Sequence, residues 1–151
     1  MLRKLMSGVI ASAALALSVS AFGQATGTAA EAKAMLEKAI VALKANEATA
    51  IASFNKADGG YRDRDLYVYC FEKSTGKFTA HVNAALMGTD VRALKEKDGA
   101  PLGQKVFDAA KEGTITTINY NFPKPGSTDP VPKEAFVTAV GNQGCGVGYY
   151  K

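Results

Sequence analysis

Asp65-Leu66-Tyr67-Val68-Tyr69-Cys70-Phe71 (DLYVYCF) is the stretch on which the fold turns. It is aromatic and β-branched, and it is followed by the turn Ser74-Thr75-Gly76-Lys77 and a second apolar run from Phe78 to Val82, a pattern that predicts a β-hairpin. Successive strand residues face opposite ways, so Asp65, Tyr67, Tyr69 and Phe71 share one face and Leu66, Val68 and Cys70 the other. The same parity at the far end of the chain puts Cys145, Val147 and Tyr149 on one face, with Gly146, Gly148 and Tyr150 opposite. If these two strands are neighbours, Cys70 and Cys145 meet on the apolar face and the glycines lie beside Tyr67 and Tyr69. Missing side chains there make room for a small ligand or a closely packed backbone.

Outward from this pair, Thr114 to Phe122 reads as a strand, Pro123 to Pro132 as a Pro-rich loop, and Phe136 to Val140 as a strand. That strand forms a closing hairpin with the last one around Gly141-Asn142-Gln143-Gly144. Two short helical pieces fall between Leu86 and Glu112, split by Asp98-Gly99-Ala100-Pro101. Before the hairpin, Thr28 to about Asn55 is rich in Ala, Lys, Glu and Leu, without Gly or Pro. Thr28 and Glu31 form a capping box, and Leu36, Ile40 and Leu43 recur at helical spacing beside Met35 and Ala39. The expectation is one long amphipathic helix ended by Asp58-Gly59-Gly60, and an α+β fold with helices segregated from a five-stranded antiparallel sheet.

The first residues read differently. Arg3 and Lys4 precede an apolar run from Val9 to Val19 and small residues from Ser18 to Ala25, the three-part pattern of a secretory signal peptide over residues 1–25, with cleavage expected between 21 and 25. Of 18 basic and 14 acidic residues in the whole chain, removing Arg3 and Lys4 leaves 16 basic, so the remaining domain, residues 26–151, is near charge balance. A balance this close to zero gives little reason to expect nucleic-acid binding, which calls for a clustered basic face. No later apolar run suggests membrane insertion, and the expected location is the periplasm or the cell exterior.

The chemistry-bearing residues are few. In an exported chain the even pair Cys70 and Cys145 is most economically one disulfide; two buried free thiols, or a cysteine activated by His81, are the alternatives. His81 is the only histidine, and it reads either as a strand-end side chain bonded to a backbone carbonyl or as a donor to a ligand carboxylate. Lys133 is either a solvated surface lysine or a ligand contact. The run Arg62-Asp63-Arg64-Asp65 reads as a local salt-bridge network, and Gly144-x-Gly146-x-Gly148 has no following helix to hold a phosphate. No catalytic residue, metal site or cofactor is expected.

Taken in order, Asp63 to Tyr69 (DRDLYVY), Ala80-His81 with Asn83 and Leu86 to Gly88, Asp98-Gly99, Gly113, Tyr120-x-Phe122-Pro123-x-Pro125, Pro132-Lys133 with Phe136-Val137, and Gly146-Val147-Gly148-Tyr149-Tyr150 resemble the single Cache domains of bacterial extracytoplasmic sensors. The resemblance implies a PAS-like fold with a long N-terminal helix behind the sheet, the first and last strands adjacent at its centre, and short helices on the ligand side. It implies a non-enzymatic, sensor-type role in binding a small molecule, often a short carboxylate, with Tyr69, His81, Tyr120 and Lys133 as the positions carried over; Tyr67, on the same strand face as Tyr69, completes the expected ligand-binding set. Val82 and Phe122 depart from the family's usual Pro and Trp. With no output region expected after Lys151, the implied partner is a membrane receptor or transporter; the alternative is a structural or interaction module with a vestigial pocket.

Overall fold

The computed structural model describes residues 26–151; the expected signal peptide, residues 1–25, lies outside the described residues. The capping box forms: the Thr28 side chain accepts from the Glu31 amide while the Glu31 carboxylate accepts from the Thr28 amide. The helix it starts is not continuous. Helix α1 (Ala29–Ala45) ends and α2 (Glu47–Lys56) begins at Asn46, whose backbone is extended at φ −163°, whose amide donates to Ala42 O, and whose side chain accepts from the Thr49 amide. One asparagine thus closes one helix and caps the next.

Six strands follow: β1 (Arg62–Asp63), β2 (Leu66–Glu72), β3 (Phe78–Ala80), β4 (Thr116–Pro123), β5 (Pro130–Val140) and β6 (Gln143–Tyr150). They form one antiparallel sheet in the order β1-β2-β6-β5-β4, with β3 also paired to β2. The two-residue β1, which folds back on β2, adds a sixth strand to the five expected. The first long strand and the last are neighbours, in a register that pairs Cys70 with Cys145, and the two sulfurs form a disulfide. The alternatives of free thiols and of a thiol–imidazole pair are thereby excluded.

Strand parity divides the interior into two layers. Leu66, Val68, Cys70, Cys145 and Val147 pack on Leu36, Ala39 and Leu43 of α1 and Phe54 of α2. Tyr67, Tyr69, Phe71, Ile118 and Tyr120 face the other way, onto Val91 and onto Leu102 and Val106 of α3 (Leu102–Ala109). The first of the two expected short helices is replaced by two 3-10 turns, Ala84–Leu86 and Val91–Ala93.

β5 is much longer than its apolar core suggests, starting inside the expected Pro-rich loop at Pro130. Its first three residues pair only with β4, because pairing to β6 begins at Lys133. Pro130 therefore lies where one side of the strand has no partner, and Pro132 at the end of the β6 pairing only accepts, its carbonyl taking the Lys151 amide at 3.1 Å, so both sit where a sheet tolerates proline.

Candidate functional site

Tyr67, Tyr69 and Tyr120 are carried to one face of the sheet by strand alternation, and His81 follows the end of β3. These four side chains, with Phe78, Val91, Leu94, Leu102, Val106 and Phe122, enclose an inner space of about 20 Å³, room for one water molecule. Tyr67, His81 and Phe122 also border an outer mouth of about 360 Å³ lined by Arg62, Asn83 and the segment Pro123–Ser127. They form the wall between the two spaces.

His81 lies 5.2 Å from Tyr67 and 5.4 Å from Phe78, centroid to centroid. Its Nδ1 accepts from the Asn83 amide at 2.9 Å, so the expected bond to a backbone carbonyl is replaced by the reverse polarity. Burial, reinforced by the charge of Lys133, lowers its pKa to about 4. The ring is neutral near pH 7, with its proton on Nε2 as a donor.

Lys133 is the least expected member. It is 2% exposed, and no ion pair to it occurs among the described residues. Its Nζ donates to Tyr67 Oη at 3.3 Å and to Tyr150 Oη at 3.4 Å. It lies over the rings of Tyr67 at 4.5 Å, Tyr150 at 4.6 Å and Phe122 at 5.6 Å. Burial lowers its pKa to about 7, against a smaller raising effect of Asp65. The aromatic faces compensate only part of the lost hydration. Lys133 does not line the inner space directly; the Tyr67 and Phe122 rings stand between.

The two phenols around Lys133 differ. Tyr150 donates its proton to Pro123 O at 2.6 Å. Tyr67 accepts from Lys133 and its own proton is not taken by any described residue. A phenol that accepts from an ammonium is a stronger donor, so Tyr67 presents the cation's field to the cavity. Deeper in, Tyr69 Oη is buried with no well-formed hydrogen bond, its one polar interaction being with the Tyr120 hydroxyl. Burial holds the Tyr67, Tyr69 and Tyr120 phenols far above their usual pKa, so all three remain protonated donors.

The glycines of β6 explain how this fits. A Cβ on Gly146 would stand 2.4 Å from Tyr69 Oη, as expected, and one on Gly148 would stand 2.4 Å from Lys133 Cε. Gly148 is the slot that admits the lysine, and Tyr150 is the site residue the sequence reading missed. Its signal was the shared face with Gly146 and Gly148.

Asp65 is not part of a surface salt-bridge network. It is 7% exposed, accepts from the Gly27 amide through Oδ1, and leaves Oδ2 without a partner; Arg64 instead pairs with Asp63 and Glu31. Among the described residues no group of three or more His, Cys, Asp or Glu could hold a metal, and no helix is long and apolar enough to cross a membrane.

The fold is thus an α+β domain that carries protonated donors and a buried cation on one face of its sheet. The chain belongs to the single Cache domain 2 family, whose model matches residues 10–149. It is 25% identical over 75 residues to the methyl-accepting chemotaxis protein McpP of Pseudomonas putida; the match spans 50% of this chain and 14% of that much longer protein. A methyl-accepting chemotaxis protein structure from Vibrio parahaemolyticus superposes with a TM-score of 0.65 at 21% identity, covering 80% of this chain and 86% of that one. A periplasmic sensor domain of a chemotaxis protein gives 0.61 at 23% identity, over 78% and 86%. A structure described as the basis for carboxylic acid recognition by a Cache chemosensory domain gives 0.59 at 21% identity, over 78% and 84%.

Proposed function

We propose that this chain is a non-enzymatic, extracytoplasmic binding domain of the sensor type that takes a short carboxylate between Tyr67, Tyr69, His81 and Tyr120. The observation that carries this reading is Lys133, a cation buried at 2% exposure without a carboxylate partner and one hydroxyl from the cavity. Asp65 offsets the Lys133 charge only in part; a buried charge short of its counter-charge costs several kcal/mol, and an incoming carboxylate supplies the remainder. Tyr67 O–H and His81 Nε2–H donate to the carboxylate, and the inner space beside Val91, Leu102 and Val106, about 20 Å³ without ligand, widens by side-chain movement to receive an apolar tail. The carboxylic-acid and periplasmic descriptions of two structural relatives support ligand class and location.

In this reading residues 1–25 are a signal peptide cleaved between 21 and 25, and residues 26–151 reach the periplasm or the exterior. A membrane receptor or transporter is the partner that receives the ligand-bound domain.

Titration calorimetry of the purified chain against short-chain monocarboxylates, with the matching primary alcohols as uncharged controls, tests the ligand class. Binding of acids but not alcohols is expected; no heat from any acid overturns the reading. The small inner space, about 20 Å³, favours a second reading, an interaction module whose pocket is filled by its own side chains. In that case Lys133→Met and His81→Asn change no ligand affinity.

A further inference from the structure

The rim of the outer mouth is the hairpin loop between β4 and β5, exposed from Pro125 to Asp129. Its described hydrogen bonds beyond the β ladder are internal, Ser127 N to Lys124 O and Asp129 N to Ser127 Oγ, except one at its base. There the buried Tyr150 hydroxyl donates to Pro123 O at 2.6 Å. The Tyr150 ring also receives Lys124 of the loop at 5.3 Å and Lys133 at 4.6 Å. Lys133 in turn donates to both Tyr150 Oη and Tyr67 Oη. A single chain therefore runs from the cavity wall to the rim: Tyr67 Oη, Lys133 Nζ, Tyr150 Oη, Pro123 O.

We infer that Tyr150 is a positioning residue that tethers the Lys124–Asp129 loop and ties its mobility to what the Lys133 ammonium touches. The Tyr150 hydroxyl has one proton, already given to Pro123, so toward Lys133 it can only accept. Acceptance from a cation strengthens the bond it donates, because successive hydrogen bonds polarise one another. A ligand that engages Tyr67 draws on the same ammonium and so reaches the loop without touching it. The tether is a property of the ligand-free fold; its use to report occupancy rests on the carboxylate reading.

Hydrogen–deuterium exchange of the peptide covering residues 124–129 tests both parts, with the β2 peptide as a reference for global opening. Tyr150→Phe keeps the ring and is expected to speed loop exchange by about 2–10-fold, the worth of one net hydrogen bond; Tyr149→Phe, which loses a bond to Glu134 instead, leaves the loop unchanged. Lys133→Met is expected to speed the loop less than Tyr150→Phe, and the double variant to match Tyr150→Phe alone. Unchanged loop exchange in Tyr150→Phe overturns the tether, and additive effects in the double variant overturn the link through Lys133. With sodium acetate as probe, loop exchange is expected to change in the wild-type chain and not in Tyr150→Phe; an equal change in both overturns the transmission. If acetate leaves every peptide of the wild-type chain unchanged, the carboxylate reading loses this support, while the ligand-free variants still decide the tether and its link to Lys133.

Discussion

The ammonium of Lys133 lies 3.3 Å from the phenol oxygen of Tyr67, and no carboxylate among the described residues pairs with it. Its pKa falls from an ordinary 10.5 to about 7 on burial. Between those values the unfolded chain holds a proton that the folded chain does not. Stability therefore rises with pH across that window, and the full penalty is present below pH 7. Lys133→Met removes a cost on the order of 3–5 kcal/mol, partly offset by lost contacts to Tyr67 and Tyr150. Thermal melts at pH 6.5 are expected to show a variant more stable than the wild-type chain that no longer binds carboxylates.

The same titration sets the pH dependence of binding. A carboxylate needs the protonated form of Lys133, so affinity is expected to be flat below pH 7 and to fall by up to about tenfold per pH unit above it. Calorimetry from pH 6 to 9 checks this, together with net proton uptake on binding near pH 8. A flat profile would show that Lys133 does not meet the ligand's charge.

His81 acts in the opposite range. Burial lowers its pKa from 6.5 to about 4, so the unfolded chain gains a proton before the folded one as pH falls. Stability is expected to drop by on the order of 1–3 kcal/mol between pH 6.5 and 4. His81→Asn, which keeps an acceptor for the Asn83 amide, should flatten that part of a urea-midpoint profile while leaving the region above pH 7 unchanged.

Gly148 and Lys133 should be energetically inseparable. Gly148→Ala pushes a methyl against Lys133 Cε, which would be only 2.4 Å away, a cost of about 1–3 kcal/mol for overpacking. In the Lys133→Ala background that clash is gone and only the close approaches to Glu134 O at 3.2 Å and Ala135 Cβ at 3.3 Å remain, so the cost is expected to shrink by at least half. Chemical denaturation of the four chains measures this cycle; additive penalties would place the strain elsewhere.

Reduction of Cys70–Cys145, which are 75 residues apart, is expected to lower stability by about 2–4 kcal/mol by releasing a constraint on the unfolded chain. The Cys70→Ala/Cys145→Ala double variant should melt lower than the oxidised chain and be insensitive to dithiothreitol.

What the sequence made legible were its periodic and paired features. Alternation in DLYVYCF assigned Tyr67 and Tyr69 to the cavity and Cys70 to the helix side, and the capping box located the start of α1. The break at Asn46 was hidden because Ala45-Asn46-Glu47-Ala48 is compatible with an uninterrupted helix; only packing of Ala50 and Phe54 against the sheet decides for a second one. Burial of Lys133 was hidden for a stronger reason. It depends on Tyr67, Phe122 and Tyr150 from three other strands and on a glycine slot opposite, none of which a local pattern around Pro132-Lys133 encodes. Tyr150 was legible only as a facing, because its bond to Pro123 O exists only once the Pro-rich segment has become strand.

The disulfide between the two central strands encloses residues 71–144, and that ring includes His81, Tyr120, Lys133 and the whole rim loop. A protease that cuts once at Gly126 or Ser127 therefore opens a circle and does not sever the molecule. Both fragments stay covalently joined and separate on a gel only under reducing conditions. The most exposed part of the mouth can be nicked while the sheet, the cavity and its buried cation remain in one piece.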